Sequence, residues 1–122
     1  MKTVLVVDDS PVVRSFHINI LKSHGFGAEG AGDGVEALEM ALRRRYDLIL
    51  CDINMPTMDG LTFIEHYREQ HAGGTPIIIL TTQEEESNRY KGYASGANLY
   101  LVKPVQPKSL ILHMKLLMGE TT

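Results

Sequence analysis

Short apolar runs alternate with longer amphipathic stretches along the chain, and this alternation limits the fold more than any other feature. The runs cover residues 4–7, 48–51, 77–80 and 99–102, with a weaker fifth at 28–31. Runs of this length suit strands, and strands that are apolar on both faces are typical of a parallel sheet covered by helices on each side.

The stretches between the runs carry apolar residues at helical spacing and polar residues suited to helix ends. The spaced apolar sets are Val13, Phe16 and Ile20; Val35, Leu38 and Leu42; Leu61, Ile64 and Tyr67; Tyr90 and Ala94; and Leu110, Met114 and Leu117. Ser10 before a proline predicts the start of the first helix and Gly25 its end. Asp33 with Glu36 predicts a capping box, and Thr82 has a glutamate at the same spacing.

Five β–α units in series predict an α/β fold of the flavodoxin-like (βα)5 type. This is a doubly wound five-stranded parallel sheet with strand order 2-1-3-4-5. No linker or repeat divides residues 1–122, so we expect a single domain.

Composition excludes several classes of function. The net charge of −3 argues against a nucleic-acid module. The lack of a long apolar run or signal peptide predicts a cytoplasmic protein without membrane contact. The lone Cys51 predicts a buried apolar side chain, and the five histidines show no metal-binding spacing.

Chemistry-bearing residues follow four of the predicted strands, where ligands bind in sheets of this kind. They are Asp8 and Asp9, Asp52 and Asn54, Thr81, and Lys103. Three carboxylates at one edge repel one another unless a cation joins them, and hard oxygen ligands suit Mg²⁺. A carboxylate beside Mg²⁺ can accept a phosphoryl group, with an amine and a hydroxyl neutralising its oxygens.

Four segments resemble the signature of response regulator receiver domains. They are Val6-Val7-Asp8-Asp9-Ser10, Asp52-Ile53-Asn54-Met55-Pro56-Thr57-Met58-Asp59-Gly60, Leu80-Thr81-Thr82 and Val102-Lys103-Pro104. The second is especially similar to the phosphoacceptor loop of stand-alone, CheY-like chemotaxis regulators. The resemblance covers essentially the whole chain.

The resemblance implies a metal-assisted phosphoacceptor. Asp52 would accept the phosphoryl group. Asp9, Asp52 and the backbone carbonyl of Asn54 would bind Mg²⁺, or Mn²⁺ in its place, and Asp8 would act through water. Lys103 would bridge to the acyl phosphate, with a cis peptide bond following it.

The resemblance also implies a switch and a rate control. Thr81 would bond the phosphoryl group and move toward it, and Tyr100 would turn inward as Thr81 moves. Asn54 and Gln83 flank the path of the attacking water, so we expect them to set the rate of dephosphorylation.

The implied partners are proteins. A CheA-like histidine kinase would be the phosphodonor. A downstream target, such as a flagellar motor switch, would dock on the face made by the fourth helix, fifth strand and fifth helix of a monomer. A phosphatase could remove the phosphate from the chain.

We expect no output domain and no enzymatic activity beyond assisted phosphorylation and dephosphorylation of the chain itself. The predicted fourth helix opens with Glu84, Glu85 and Glu86, where the enteric chemotaxis regulator carries lysines, so we expect part of that face to have the opposite charge.

Three alternatives to a chemotaxis switch remain open. A phosphorelay shuttle would pass its phosphate to a histidine-containing carrier protein. A phosphatase of the haloacid-dehalogenase kind would need an aspartate where Asn54 stands, because an amide cannot act as the acid/base. A flavodoxin-like flavin carrier would bind the cofactor phosphate after the first strand, where Asp8 and Asp9 would repel it.

Overall fold

The predicted strands and helices are all present in the computed structural model, which describes residues 1–70, 74–82 and 86–119, and of residues 86–88 the backbone alone. The strands are Thr3–Val7 (β1), Gly27–Ala31 (β2), Leu48–Cys51 (β3), Ile77–Thr81 (β4) and Leu99–Val102 (β5). The helices are Pro11–Ser23 (α1), Gly34–Arg43 (α2), Gly60–Gln70 (α3), Glu86–Ser95 (α4) and Pro107–Leu117 (α5). Among the described helices, none has the length and apolarity needed to cross a membrane.

All strand pairs are parallel and lie in the order β2-β1-β3-β4-β5, which confirms the predicted topology. Successive residues of each strand point to opposite faces, so β1 places Leu5 and Val7 in one apolar cluster and Val4 and Val6 in the other. The first cluster includes side chains of α2 and α3, and the second includes side chains of α1 and α5. Helices therefore cover both faces, and the carboxyl ends of the strands remain open at one edge.

Sequence spacing predicts the helices well but predicts some of their buried faces poorly. In α1 the buried residues are His17 and Leu21, whereas Phe16 is 55% exposed. In α2 the buried residues are Gly34, Ala37 and Ala41, so small side chains face the sheet there. In α5, Leu110 and Met114 are buried as the pattern indicates, but Tyr90 in α4 is 75% exposed.

Capping residues at the ends of α1 and α2 behave as predicted. The Ser10 side chain accepts a bond from the Val13 amide at 3.3 Å, and Gly25 takes a φ of 88° just past the helix end. The Asp33 side chain accepts a hydrogen bond from the Glu36 amide at 2.8 Å, and the Glu36 carboxylate accepts one from the Gly32 amide at 2.6 Å. The capping box predicted at Thr82 depends on Glu85, which lies outside the described residues.

Candidate functional site

Three carboxylates meet at the open edge because β1 and β3 are neighbours in register. Val7 pairs with Cys51, and the next residue of each strand is an aspartate. The Asp52 amide donates to the Val7 carbonyl at 2.9 Å, which fixes the start of the loop that follows β3. One carboxylate oxygen from each of Asp8, Asp9 and Asp52 lies within 4.8 Å of the other two. Asp8 is 4% exposed, and Asp9 is exposed to solvent.

Lys103 brings a positive charge to these acids from the end of β5. Its Nζ lies 2.7 Å from Oδ2 of Asp8 and 3.3 Å from Oδ2 of Asp52, and its side chain is 15% exposed. Burial alone lowers the pKa of Lys103, but the hydrogen bond to Asp8 and the charge of Asp52 outweigh burial, and the pKa is raised above the ordinary lysine value. The amine is therefore a fixed cation between the two carboxylates. The peptide bond between Lys103 and Pro104 is cis.

Thr81 and Tyr100 lie in the adjacent strands β4 and β5. Thr81 is fully buried and its carbonyl accepts a bond from the Lys103 amide at 2.7 Å, which links β4 to the site. Tyr100 is 1% exposed. The guanidinium of Arg89 lies 4.8 Å from the centre of its ring and donates to its carbonyl at 3.0 Å, so α4 holds this aromatic residue on the sheet.

The loop that follows Asp52 is held by backbone contacts. Oδ1 of Asp52 accepts a bond from the Ile53 amide at 2.7 Å, and the Gly60 amide donates to the Ile53 carbonyl at 2.8 Å. Asn54 is exposed beside these residues. The structure thus gathers Asp8, Asp9, Asp52 and Lys103 directly, with Thr81 and Asn54 on neighbouring segments, while Gln83 lies outside the described residues.

Two residues near the acids were missed by the sequence analysis. Arg14 in α1 donates from Nη1 to the Asp8 carbonyl at 2.7 Å. His17 is 6% exposed and lines a cavity of about 10 Å³ together with Asp8, Cys51 and Asp52. Burial, and secondly the charge of Lys103, lower the pKa of His17, so the neutral imidazole is favoured there. Nothing in the sequence marks either residue, because helical spacing did not indicate which residues of α1 face the sheet.

Cys51 is buried beneath the acids, as the sequence predicts. Burial, and then the charge of Asp52, raise the pKa of its thiol well above the ordinary value, so it stays protonated. Its Sγ donates to the Asp52 carbonyl at 3.1 Å. Cys51 is thus an apolar support for the phosphoacceptor candidate, and its thiol is not a nucleophile.

The donor set fits a hard divalent cation. All three side chains offer carboxylate oxygens, and no nitrogen or sulfur ligand joins the described group. The Asp9 carboxylate faces solvent, which suits Mg²⁺ because this ion retains several waters when bound to proteins. Lys103 already neutralises part of the charge on Asp8 and Asp52, so one divalent ion would leave the site near neutrality.

The comparisons with known proteins agree with this site. Residues 4–115 match the family model described as the response regulator receiver domain. The chain is 38% identical to the Vibrio cholerae chemotaxis protein CheY4, with a TM-score of 0.89 over 96% of this chain and 98% of that one. It is 31% identical to the receiver domain of the Pseudomonas aeruginosa sensor histidine kinase PA1611, with a TM-score of 0.90 over 98% of each chain. That structure contains a magnesium ion coordinated in its active site cleft.

One curated relative is about twice as long as this chain. The chain is 39% identical over 118 residues to the transcriptional regulatory protein SrrA of Staphylococcus aureus, which covers 97% of this chain and 48% of that protein. The chain thus spans about half the length of this relative. Receiver domains take phosphate from histidine kinases and bind Mg²⁺ at an acidic pocket. The family match over 112 of the 122 residues shows that this chain belongs to the response regulator receiver domain family of two-component systems.

Proposed function

We propose that the chain is a phosphorylation-activated switch whose phosphoacceptor is Asp52. The observation that carries this proposal is the position of the Lys103 amine, 2.7 Å from Asp8 and 3.3 Å from Asp52, beside the group of three carboxylates. A structural ion pair needs one acid for one lysine, whereas three acids and one amine form a site prepared for more positive charge. Asp8, Asp9, Asp52 and the Asn54 carbonyl would hold Mg²⁺, or Mn²⁺ in its place.

The proposed reaction is a simple displacement at phosphorus. An oxygen of the Asp52 carboxylate attacks the phosphoryl group of a phosphohistidine, the new O–P bond forms, and the P–N bond breaks with its electron pair moving to the imidazole. Lys103 neutralises one phosphoryl oxygen, and the Thr81 hydroxyl donates to another once it turns toward the group. Mg²⁺ held by Asp9, Asp52 and the Asn54 carbonyl, with Asp8 acting through water, would supply further neutralisation of negative charge. The chain thus assists its own phosphorylation and later hydrolysis without being an enzyme for another substrate.

Switching requires more energy than a single new bond supplies. Moving a population from 1:99 to 99:1 takes about 5.5 kcal/mol of differential interaction, and one hydrogen bond to a charged group contributes about 1.5–3 kcal/mol. Thr81 alone therefore cannot complete the switch. We propose that Lys103 and the repacking of Tyr100 between α4 and β5 contribute the rest, because Arg89 couples the Tyr100 ring and carbonyl to α4.

The face made by α4, β5 and α5 is the proposed docking surface for a downstream partner. Its helices present large apolar side chains to solvent: Tyr93 at 43%, Leu112 at 58% and Leu116 at 65% exposure. Exposed apolar side chains of this size are typical of protein interaction sites. We propose a cytoplasmic monomer that receives phosphate from a CheA-like kinase and binds a chemotaxis partner such as a flagellar motor switch, with a phosphatase that removes the phosphate. The likeness to CheY4 supports chemotaxis, and a phosphorelay shuttle is the alternative.

Phosphorylation should depend on a divalent ion. We expect acetyl phosphate or a phosphorylated histidine kinase to add one phosphoryl group per chain in the presence of Mg²⁺, as measured by the mass of the intact protein. Excess chelator should reduce the rate at least about 10-fold, because the three carboxylates then repel the incoming phosphoryl oxygens. Addition of Mg²⁺ beyond the chelator is the control and should restore labelling. Equal labelling with and without the ion would contradict the proposed site.

Beryllofluoride should separate the two candidate roles. With Mg²⁺ it mimics an aspartyl phosphate, so we expect it to increase binding of a purified motor-switch protein if the chain acts in chemotaxis. In a relay, the phosphorylated chain would instead transfer its phosphate quickly to a histidine phosphotransfer protein, which labelled phosphate would reveal. Binding that is the same with and without beryllofluoride would argue against a switch at this face.

A further inference from the structure

The side chain of Arg14 lies directly over Gly30 of the edge strand β2, so an added side chain at Gly30 would displace it. The Arg14 side chain runs from α1 across β2, and a Cβ atom built on Gly30 would lie 2.9 Å from Cδ and 3.2 Å from Nε of Arg14. A Cβ on Gly32 would lie 3.6 Å from Nη1 of the same side chain. Gly30 is thus the position of β2 at which an added side chain would press on Arg14, whereas Gly32, just past the strand, would make only an ordinary contact with it.

The Arg14 guanidinium binds the backbone between Asp8 and Asp9, two of the proposed metal ligands. Nη1 of Arg14 donates to the Asp8 carbonyl at 2.7 Å, a short bond from a charged donor. That carbonyl belongs to the peptide plane that joins Asp8 to Asp9. The other polar groups of Asp8 are also held: its amide donates to Ala31, and its carboxylate accepts bonds from Ser10 and Lys103.

Asp9 depends on this peptide plane more than the other acids do. Asp8 and Asp52 bind Lys103 through their side chains, whereas the Asp9 carboxylate accepts no hydrogen bond from any residue in the described part of the chain. The direction of its carboxylate is therefore set mainly by its backbone. Among the side chains that the structure describes, Arg14 alone donates a hydrogen bond to the Asp8 carbonyl of that peptide.

We propose that Arg14 is a positioning residue for the metal site, and that Gly30 is the position that allows it to act. This inference rests on the proposed Mg²⁺ site but goes beyond it, since neither residue touches the ion. Arg14 orients the peptide that presents Asp9. Supports of this kind commonly change metal affinity by about 10- to 100-fold when removed.

Four variants test the proposal with two readouts, the Mg²⁺ dissociation constant from calorimetry and the thermal unfolding midpoint. Arg14→Met removes the donor, and we expect Mg²⁺ binding to weaken about 10-fold. Arg14→Lys keeps a charged donor and should recover part of that loss. Gly30→Ala leaves Arg14 in the sequence but moves its side chain, so we expect weaker Mg²⁺ binding here too. Gly27→Ala is the matched control, because its methyl group would meet Met1 and Thr3 at 3.0 Å and not Arg14.

The outcomes separate this inference from the proposed function. If the natural protein fails to bind Mg²⁺ at millimolar concentrations, the proposed function itself is wrong. If it binds, but Arg14→Met and Gly30→Ala bind equally well, the positioning role is wrong. A similar loss of affinity in Gly27→Ala would also overturn it, because the effect would then come from general weakening of β2. Should Arg14→Met not fold, the comparison of Gly30→Ala with Gly27→Ala decides.

Discussion

Replacing Asp52 by asparagine is expected to abolish phosphorylation, with a fall in rate of at least about 10³-fold. The amide has nearly the same shape as the carboxylate, but its oxygen is a poor nucleophile and carries no charge to share with Mg²⁺. The substitution leaves Lys103 paired with Asp8 at 2.7 Å, so we expect the protein to stay folded. Intact mass after incubation with acetyl phosphate and Mg²⁺ measures the effect, and circular dichroism checks the fold.

Asp59→Asn is the matched control for this experiment. Asp59 lies in the same loop, is exposed, and accepts bonds from the Thr62 amide at 2.8 Å and the Thr62 hydroxyl at 3.2 Å at the start of α3. Asparagine can keep the bond to the amide, because its side-chain oxygen caps helices about as well as aspartate does. This variant should accept phosphate at close to the natural rate. Persistent labelling of Asp52→Asn would place the phosphoacceptor elsewhere.

The sequence predicted the sheet because four strands are apolar on both faces. Each of those four runs is a strand of the structure, and the carboxyl end of each leads to the edge where the acids and Lys103 meet. The fifth strand, β2, was predicted weakly because glycine and alanine give little apolar signal. Gly30 lies against the Arg14 side chain, and this contact is visible only when α1 and β2 are placed together.

Helix faces and supporting residues were harder to predict. Helix α1 carries apolar residues around much of its circumference, so spacing alone could not decide between a face containing Phe16 and one containing His17. The hydrogen bond from Arg14 to the Asp8 carbonyl could not be predicted from the sequence either. Every residue has a backbone carbonyl, so the sequence does not show which one an arginine will bind. Motifs identify residues that perform chemistry, whereas the residues that orient them depend on packing.

Replacing Gly60 by alanine is expected to cause the largest loss of stability. A Cβ atom at Gly60 would collide with the backbone carbonyl of Asp52, and it would lie 3.0 Å from Cα of Ile53. Backbone atoms cannot turn away as a flexible side chain can, so the whole loop that carries the phosphoacceptor would have to move. Overpacking typically costs about 1–3 kcal/mol, and we expect the upper end or more, which corresponds to a fall in the unfolding temperature of about 10 °C.

Gly34 tests the same cause, and Gly25 provides the control. A Cβ atom at Gly34 would lie 2.5 Å from the carbonyl of Met58 in the same loop, so Gly34→Ala should also be strongly destabilising. Gly25 takes a φ of 88° but has no atom within 4 Å of an added Cβ, so Gly25→Ala should cost only about 1 kcal/mol of backbone strain. Calorimetry on the three variants measures these differences. If Gly60→Ala were no less stable than Gly25→Ala, close packing against the Asp52 backbone could not be what fixes the loop. A large fall at Gly60 and Gly34, with little change at Gly25, would mean that close packing against the backbones of Asp52 and Met58 holds this loop in place.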